Sequence, residues 1–284
     1  MTYYDMHSHI VNGVLDPIKE KRKLGINKSL VCIDPFVDEL KCDENNNHYC
    51  YVDSSKNGEM IVHCLECDKD IRTSPDIFFN ANDKLFEKVK NIQDLYYFAT
   101  LPVMRFGMND LAEKYIKLYK SALKGLKLYT GLSKSTLNDS EFLECDLPLL
   151  IHTGFFENQK PSNMIDFLKY YRGKIILAHF CRLDVDTIRK IGQQENIFFD
   201  VSPAFEMFER YKRKNILLYE GKINDVNEMY KILINLVGSD KILWGSDYPY
   251  SQIDMELQCL LNSELSDVEK EKILSINPKR FLER

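Results

Sequence analysis

Residues 3–10 read Tyr-Tyr-Asp-Met-His-Ser-His-Ile, a short stretch with aromatic and apolar residues and with two histidines, His7 and His9, near its end. Short runs of this kind, rich in apolar, β-branched and aromatic residues, recur along the chain with helix-like stretches between them. We count eight: 3–10, 29–35, 95–103, 123–130, 148–153, 174–180, 196–202 and 241–247. Strands this apolar suit a parallel sheet that is buried on both faces. Eight strand–helix units predict closure into a barrel, so the fold class is α/β, a (β/α)8 TIM barrel.

An insertion interrupts this pattern after the second strand. About sixty residues separate strands two and three, where a short loop and one helix would suffice. Residues 80–91 supply the expected helix, and residues 38–80 are extra material. The prediction is therefore a single barrel over residues 1–284, with a cysteine-containing insertion at 38–80.

The insertion contains four cysteines. Cys64 and Cys67 form a C-x₂-C knuckle, a spacing that lets two thiolates bind one zinc ion. Cys42 and Cys50 are the candidate partners, and His48 with Cys50 is another pairing. We therefore consider a small zinc-ribbon-like arm with a structural zinc, a β-hairpin with free thiols, and a redox C-x₂-C. The remaining cysteines are expected to be packing residues: Cys32, Cys145, Cys181 and Cys259.

Composition excludes several classes of protein. The net charge is −5 with both signs interspersed, which does not predict the basic surface of a nucleic-acid-binding protein. No apolar run is long enough to predict a membrane span. No secretory signal is visible, and eight cysteines in such a chain are typical of reduced thiols or metal ligands. We therefore expect a cytoplasmic protein.

Residues capable of metal chemistry recur at the predicted carboxyl ends of strands, where barrel enzymes place their sites. His7 and His9 are two apart on an extended chain, so their side chains share a face. His152, His179 and Asp247 end the fifth, sixth and eighth strands. A lone histidine at a strand end is usually structural, but four of the six histidines occupy such ends. Three histidines with a carboxylate suit a divalent metal, zinc first, with manganese or iron as alternatives.

This order of motifs resembles the amidohydrolase superfamily, and most closely its branch of compact amidohydrolase-related barrels. The carrying motifs are Asp5-x-His7-x-His9, Ile151-His152-Thr153-Gly154, Leu177-Ala178-His179, Gly245-Ser246-Asp247-Tyr248-Pro249 and the ending Ile276-Asn277-Pro278-Lys279-Arg280-Phe281-Leu282. The resemblance implies that His7, His9, His152 and Asp247 bind the metal. It implies that His179 binds a second metal or hydrogen-bonds the reacting group.

The fourth strand bears on the subclass. The resemblance implies a carboxylated lysine here in two-metal hydrolases and a glutamate in TatD-type nucleases. This strand has Lys127 and no glutamate, which argues against a nuclease. We favour one barrel metal. Lys127 is then either a ligand or a cation that anchors a substrate carboxylate or phosphate.

The leading hypothesis is a metal-dependent hydrolase that cleaves a C–N or C–O bond (amide, lactone or ester) of a small molecule. In it, Asp247 transfers the proton of the attacking water and His179 stabilises the oxyanion. A decarboxylase on the same barrel is the alternative, with Arg105 or Arg182 binding an acidic substrate. A non-catalytic binding protein is a third hypothesis, disfavoured because every ligand position is filled. Residues 203–221 are long enough for a substrate loop. The sequence leaves open whether the protein forms a homo-oligomer.

Overall fold

The computed structural model describes residues 2–10, 17–33, 50–54, 60–64, 67–74, 76–214 and 223–283. The strands of these ranges are β1 (Tyr3–Ile10), β2 (Ile26–Ile33), β3 (Cys50–Ser54), β4 (Met60–Cys64), β5 (Lys69–Thr73), β6 (Leu95–Pro102), β7 (Leu123–Tyr129), β8 (Leu149–Ile151), β9 (Ile175–Leu177), β10 (Ile197–Asp200) and β11 (Ile242–Leu243). The helices are α1 (Pro17–Lys23), α2 (Asp76–Val89), α3 (Met108–Tyr119), α4 (Ile165–Tyr170), α5 (Val185–Ile191), α6 (Ala204–Arg213), α7 (Val226–Val237), α8 (Ile253–Leu261), α9 (Asp267–Glu271) and α10 (Asn277–Leu282).

Eight of the strands form one sheet in the order β1-β2-β6-β7-β8-β9-β10-β11. The paired strands run parallel, as in β9 with β10 and β10 with β11. Beyond β11 the chain meets β1 again, through a parallel bridge between Ser8 and Tyr248 and a 2.9 Å hydrogen bond from the Met6 N–H to the Trp244 carbonyl. The eight parallel strands thus form a nearly closed barrel with helices between them, which confirms the predicted TIM-barrel-like fold.

Burial explains why these segments become strands and helices. Every residue of β8, β9 and β10 is buried, which is the pattern expected of a sheet covered on both faces. Helix α3 instead buries one stripe and exposes the rest. Its buried residues are Met108, Leu111, Ala112, Tyr115 and Tyr119. The alternation of fully buried strands with one-sided helices is what the sequence pattern predicts.

The fold divides into two compact units. The first consists of Met1–Val31 with Lys174–Arg284, and Trp244 and Phe199 lie in its core. The second is Cys32–Gly173, with Phe78, Phe98 and Tyr115 in its core. The second unit also contains a separate three-stranded antiparallel sheet, in the order β3-β4-β5.

Several sequence predictions fall outside the described residues. They concern Cys42, His48, residues 34–35 at the end of the second predicted strand, and residues 215–221 of the predicted substrate loop. The side chain of Cys50 also lies outside the description, although its backbone lies within it. Among the helices described, none has both the length and the apolar character that crossing a membrane requires.

Candidate metal centre

Backbone pairing places Asp247 beside the first strand. The Asp247 N–H donates to the His7 carbonyl at 2.7 Å, and the His9 N–H donates to the Tyr248 carbonyl at 2.7 Å. Asp247 has a φ of 56°, a left-handed conformation that is uncommon in residues other than glycine. Gly245 allows the close approach, because a Cβ there would lie 2.6 Å from the Cβ of His7. The carboxylate is therefore held against the two histidines of β1.

The side chains at this point converge. The Nε2 atoms of His7 and His9 lie 3.2 Å apart, and Oδ1 of Asp247 lies 3.5 Å from the first and 3.3 Å from the second. Candidate ligand atoms of His7, His179 and Asp247 all lie within 4.8 Å of one another. All four side chains are nearly or fully shielded from solvent. We call His7, His9, His179 and Asp247 the barrel centre.

A buried carboxylate fixes the ring of His7. Oδ2 of Asp200, the last residue of β10, lies 2.6 Å from Nδ1 of His7. Ser202 supports the pair: its hydroxyl lies 2.9 Å from the same Nδ1 and donates to Asp200 at 2.5 Å, while its N–H donates to Asp200 at 2.9 Å. A carboxylate on one ring nitrogen sets the tautomer and directs the lone pair of the other toward a metal. Asp200 and Ser202 therefore orient Nε2 of His7 to the barrel centre.

His179 has its tautomer fixed by the backbone. Its Nδ1 lies 2.8 Å from the carbonyl oxygen of Ser202, which can only accept, so Nδ1 carries the proton. In the neutral ring, Nε2 is then the atom with a lone pair for a metal. His179 begins a turn of five consecutive left-handed residues, His179–Leu183, with φ between 48° and 58°. This turn (the left-handed turn) follows β9 directly and keeps His179 at the strand end.

A second carboxylate, Asp5, holds the strand rather than the ligands. Its Oδ2 lies 2.8 Å from Nζ of Lys21, and both side chains are almost completely buried. Asp5 also accepts the Ser246 N–H at 2.9 Å, the Ser246 hydroxyl at 2.7 Å and the His7 N–H at 3.2 Å. The Lys21 ammonium donates in addition to the Ser8 hydroxyl at 2.7 Å. Helix α1 is thus tied to both backbone segments that carry ligands.

The donor set fits a divalent metal. Four ligands held tetrahedrally at about 2.0–2.1 Å from zinc lie about 3.3 Å from one another. The three separations among Nε2 of His7, Nε2 of His9 and Oδ1 of Asp247 are 3.2–3.5 Å, close to that value. Asp5 has Lys21 beside it, whereas Asp200 and Asp247 bring two negative charges to imidazole rings, a balance that favours a dication. Nitrogen and carboxylate donors suit zinc, manganese or iron.

Glu256 lies buried near this centre. It accepts the backbone N–H groups of Phe205 at 2.9 Å and Glu206 at 3.0 Å, at the start of α6. The pKa of Glu256 is raised to about 7, mainly by burial and in part by the charge of Asp247, although the two N–H groups act to lower it. The beginning of α6, where the predicted substrate loop starts, is therefore held by an acid that titrates near neutrality.

The other predicted site residues have their own settings. In the second unit, His152 follows β8 and stacks on Tyr129 with ring centroids 4.8 Å apart, Lys127 is completely buried in β7, and Arg105 donates to the Ser135 hydroxyl at 3.1 Å. In the first unit, Arg182 of the left-handed turn donates to the Tyr211 hydroxyl at 2.7 Å. Their roles in metal or substrate binding stay predictions.

Sequence reasoning missed two residues of the first unit. Asp200 lies two residues before the end of the predicted strand 196–202, and a carboxylate near a strand end was the available signal. Lys21 gives no such signal, because it lies among the charged residues of Pro17–Lys23.

The comparisons with known proteins agree with this geometry. The amidohydrolase family model matches residues 70–284, so the chain belongs to the amidohydrolase family. No curated protein matches the chain. Three solved structures illustrate the similarity of fold. A 2,6-dihydroxybenzoate decarboxylase from Rhizobium has a TM-score of 0.60 at 14% identity, covering 99% of this chain and 98% of its own.

The second is a 5-carboxyvanillate decarboxylase from Novosphingobium aromaticivorans with bound manganese, with a TM-score of 0.61 at 12% identity, covering 99% of this chain and 97% of its own. The third is a probable 2-pyrone-4,6-dicarboxylic acid hydrolase from Acinetobacter baumannii, with a TM-score of 0.60 at 14% identity and 99% of both chains covered. At these identities the likeness shows a shared fold.

Proposed function

We propose that this amidohydrolase-family chain is a metal-dependent hydrolase that cleaves a C–N or C–O bond, in an amide, lactone or ester, of a small molecule. The observation that carries the proposal is the convergence of Nε2 of His7, Nε2 of His9 and Oδ1 of Asp247, with His179 beside them. The cluster is buried and lies at the strand ends of a barrel, which is the setting in which a bound metal activates water effectively.

The barrel centre would hold the metal through His7, His9, His179 and Asp247, and the sequence motifs add His152. A divalent metal bound there supplies Lewis-acid polarisation and brings the pKa of a water molecule from about 15.7 toward about 7. We propose zinc, because imidazole and carboxylate donors suit it, with manganese as the alternative. The manganese in the decarboxylase from Novosphingobium aromaticivorans supports that alternative.

The chain's own residues would move the protons. Asp247 presents a carboxylate oxygen toward the centre, with 12% of its side chain exposed, so it can accept the proton of an attacking water and return it to the leaving group. Asp200 keeps the ring of His7 from rotating while this happens. The buried surroundings strengthen each of these electrostatic interactions.

Decarboxylation is the second candidate, and Arg182 favours it. Arg182 lies three residues after His179 in the left-handed turn and is half-buried. Its guanidinium donates a hydrogen bond to the Tyr211 hydroxyl. An arginine in such a setting recognises a carboxylate with two parallel hydrogen bonds. Two of the similar solved structures are decarboxylases of aromatic acids, and the third is named for the hydrolysis of a pyrone dicarboxylic acid. These similarities favour a small carboxylated molecule as the substrate of either candidate reaction.

The test is a paired substrate screen on metal-loaded protein. One panel contains lactones, esters and amides, scored by acid release, and the other contains aromatic carboxylic acids, scored by CO₂ release. We expect turnover in the first panel, and Asp247→Asn to lower it about a hundred- to ten-thousand-fold.

Asp186→Asn is the matched control, because the side chain of Asp186 is 86% exposed. Release of CO₂ without any turnover in the first panel would show that the protein is a decarboxylase and not a hydrolase. Undiminished activity in Asp247→Asn would overturn both candidates.

A further inference from the structure

The antiparallel sheet β3–β5 stands apart from the barrel strands and has little core of its own. Within the described part of β4, Met60, Val62 and Cys64 are buried, while Ile61 and His63 alternate with them and are half-exposed. Three strands with one apolar face are about the smallest sheet that can be stable alone, so this sheet has little stability to spare. A bound metal ion would add to its stability.

The register of this sheet brings cysteine positions together. Cys50, the first residue of β3, is the direct partner of Cys64, the last residue of β4. Cys67 follows three positions later, and its backbone N–H donates to Sγ of Cys64 at 3.4 Å. This contact brings the two positions of the C-x₂-C pair together, and the thiolate of a cysteine is the form that binds metals.

We infer that Cys64 and Cys67 bind a structural zinc ion at this end of the sheet, where the backbone pairs position 50, another cysteine, with Cys64; this site is separate from the barrel centre. Zinc is the metal that suits several thiolates in a tetrahedral site, and C-x₂-C spacing is typical of its ligands. Metal binding would add folding free energy to this small sheet.

The site has a structural consequence for the second unit. Strand β3 contacts the 3₁₀ turn Thr130–Leu132, which directly follows β7, the strand of Lys127. A zinc ion that fixes β3 against β4 would therefore also fix the surface on which this turn packs. This inference does not depend on the proposed catalytic function.

The first test is metal counting on full-length variants. We expect zinc that persists in His7→Ala, where the barrel centre is damaged, and about one equivalent less in Cys67→Ser than in the unsubstituted protein. Cys145→Ser is the control, since Cys145 is half-buried and lies beside Tyr171, away from this sheet. Zinc content equal in Cys67→Ser and Cys145→Ser would overturn the inference.

The second test needs no variant and therefore does not depend on how a variant folds. Protein produced with cobalt should show thiolate-to-cobalt charge-transfer absorption, and a mercurial reagent should abolish it. Alkylation after denaturation without reductant should modify all eight cysteines. Absence of the charge-transfer band, or alkylation of only six cysteines because two form a disulfide, would overturn the site.

Discussion

Nδ1 of His7 and Oδ2 of Asp200 lie 2.6 Å apart, although 193 positions separate the two residues in the chain. Both side chains are completely buried, so solvent cannot substitute for either partner. His7 belongs to β1 and Asp200 to β10, and both strands lie in the first unit. The pair therefore depends on the fold, and it determines which nitrogen of His7 is available to a metal.

Replacing Asp200 by asparagine should weaken metal binding without unfolding the protein. Asparagine keeps the size of the side chain but loses the charge that fixes the His7 tautomer, and losses of this kind lower metal affinity about 10- to 100-fold. Titration of the metal-free protein would measure the change. Excess metal should restore most of the activity, and an unchanged dissociation constant would show that Asp200 does not orient His7.

Replacing Lys21 by methionine should destabilise the protein strongly. The substitution leaves the buried carboxylate of Asp5 without its ammonium partner, and breaking such pairs costs about 3–5 kcal/mol of unfolding free energy. The double variant Lys21→Met with Asp5→Asn should recover part of that loss. Urea unfolding would measure both.

Lys23→Met is the control within the same helix. Its salt bridge with Glu20 is well exposed, so its removal should cost less than about 1 kcal/mol. Equal losses in Lys21→Met and Lys23→Met would contradict a stabilising role for the buried pair.

Gly245→Ala should damage the barrel centre by steric crowding. The new Cβ would lie 2.6 Å from the Cβ of His7 and 2.8 Å from Oδ1 of Asp200, so the backbone must shift. Overpacking of this kind costs about 1–3 kcal/mol. We expect both a lower melting temperature and a lower metal content, and a variant with neither change would show that this contact relaxes freely.

Glu256 should make stability depend on pH. Its pKa is raised by burial from 4.5 to about 7 in the folded protein, so the folded state holds the proton more tightly than the unfolded state. Its contribution is therefore fully present below about pH 4.5 and is lost as the pH rises through about 7. The change is on the order of 3 kcal/mol.

The difference in unfolding free energy between the unsubstituted protein and Glu256→Gln should accordingly vary over this pH range. Denaturant unfolding at a series of pH values would measure it. A difference that stays constant from pH 4.5 to 8 would mean that the carboxyl does not titrate there.

The barrel and its strand order could be predicted because buried parallel strands leave a strong apolar pattern. The positions at which the strands end could not be predicted. The predicted strand 241–247, for example, is only Ile242–Leu243 in the structure. The residues that follow leave the ladder, and Asp247 adopts a left-handed conformation to bring its carboxylate to the ligands. Prediction thus fails first where the chain turns toward the site.

The partners of the ligands were harder to predict than the ligands. Asp200 is a single aspartate after an apolar run, and only the folded barrel shows that it faces His7. Lys21 lies in a short helix of mostly basic residues, a pattern typical of exposed surface. Its burial follows from the position of Asp5, which no local pattern encodes.

The left-handed turn His179–Leu183 also sets a limit on how this protein can change. Left-handed conformations cost about 1–2 kcal/mol for each residue other than glycine, so five of them cost about 5–10 kcal/mol. That amount is comparable with the whole net stability of a typical domain, about 5–15 kcal/mol. Directed evolution for heat resistance should therefore collect glycines at 180–183 first, and the variants that keep turnover will show which of these side chains the catalyst needs.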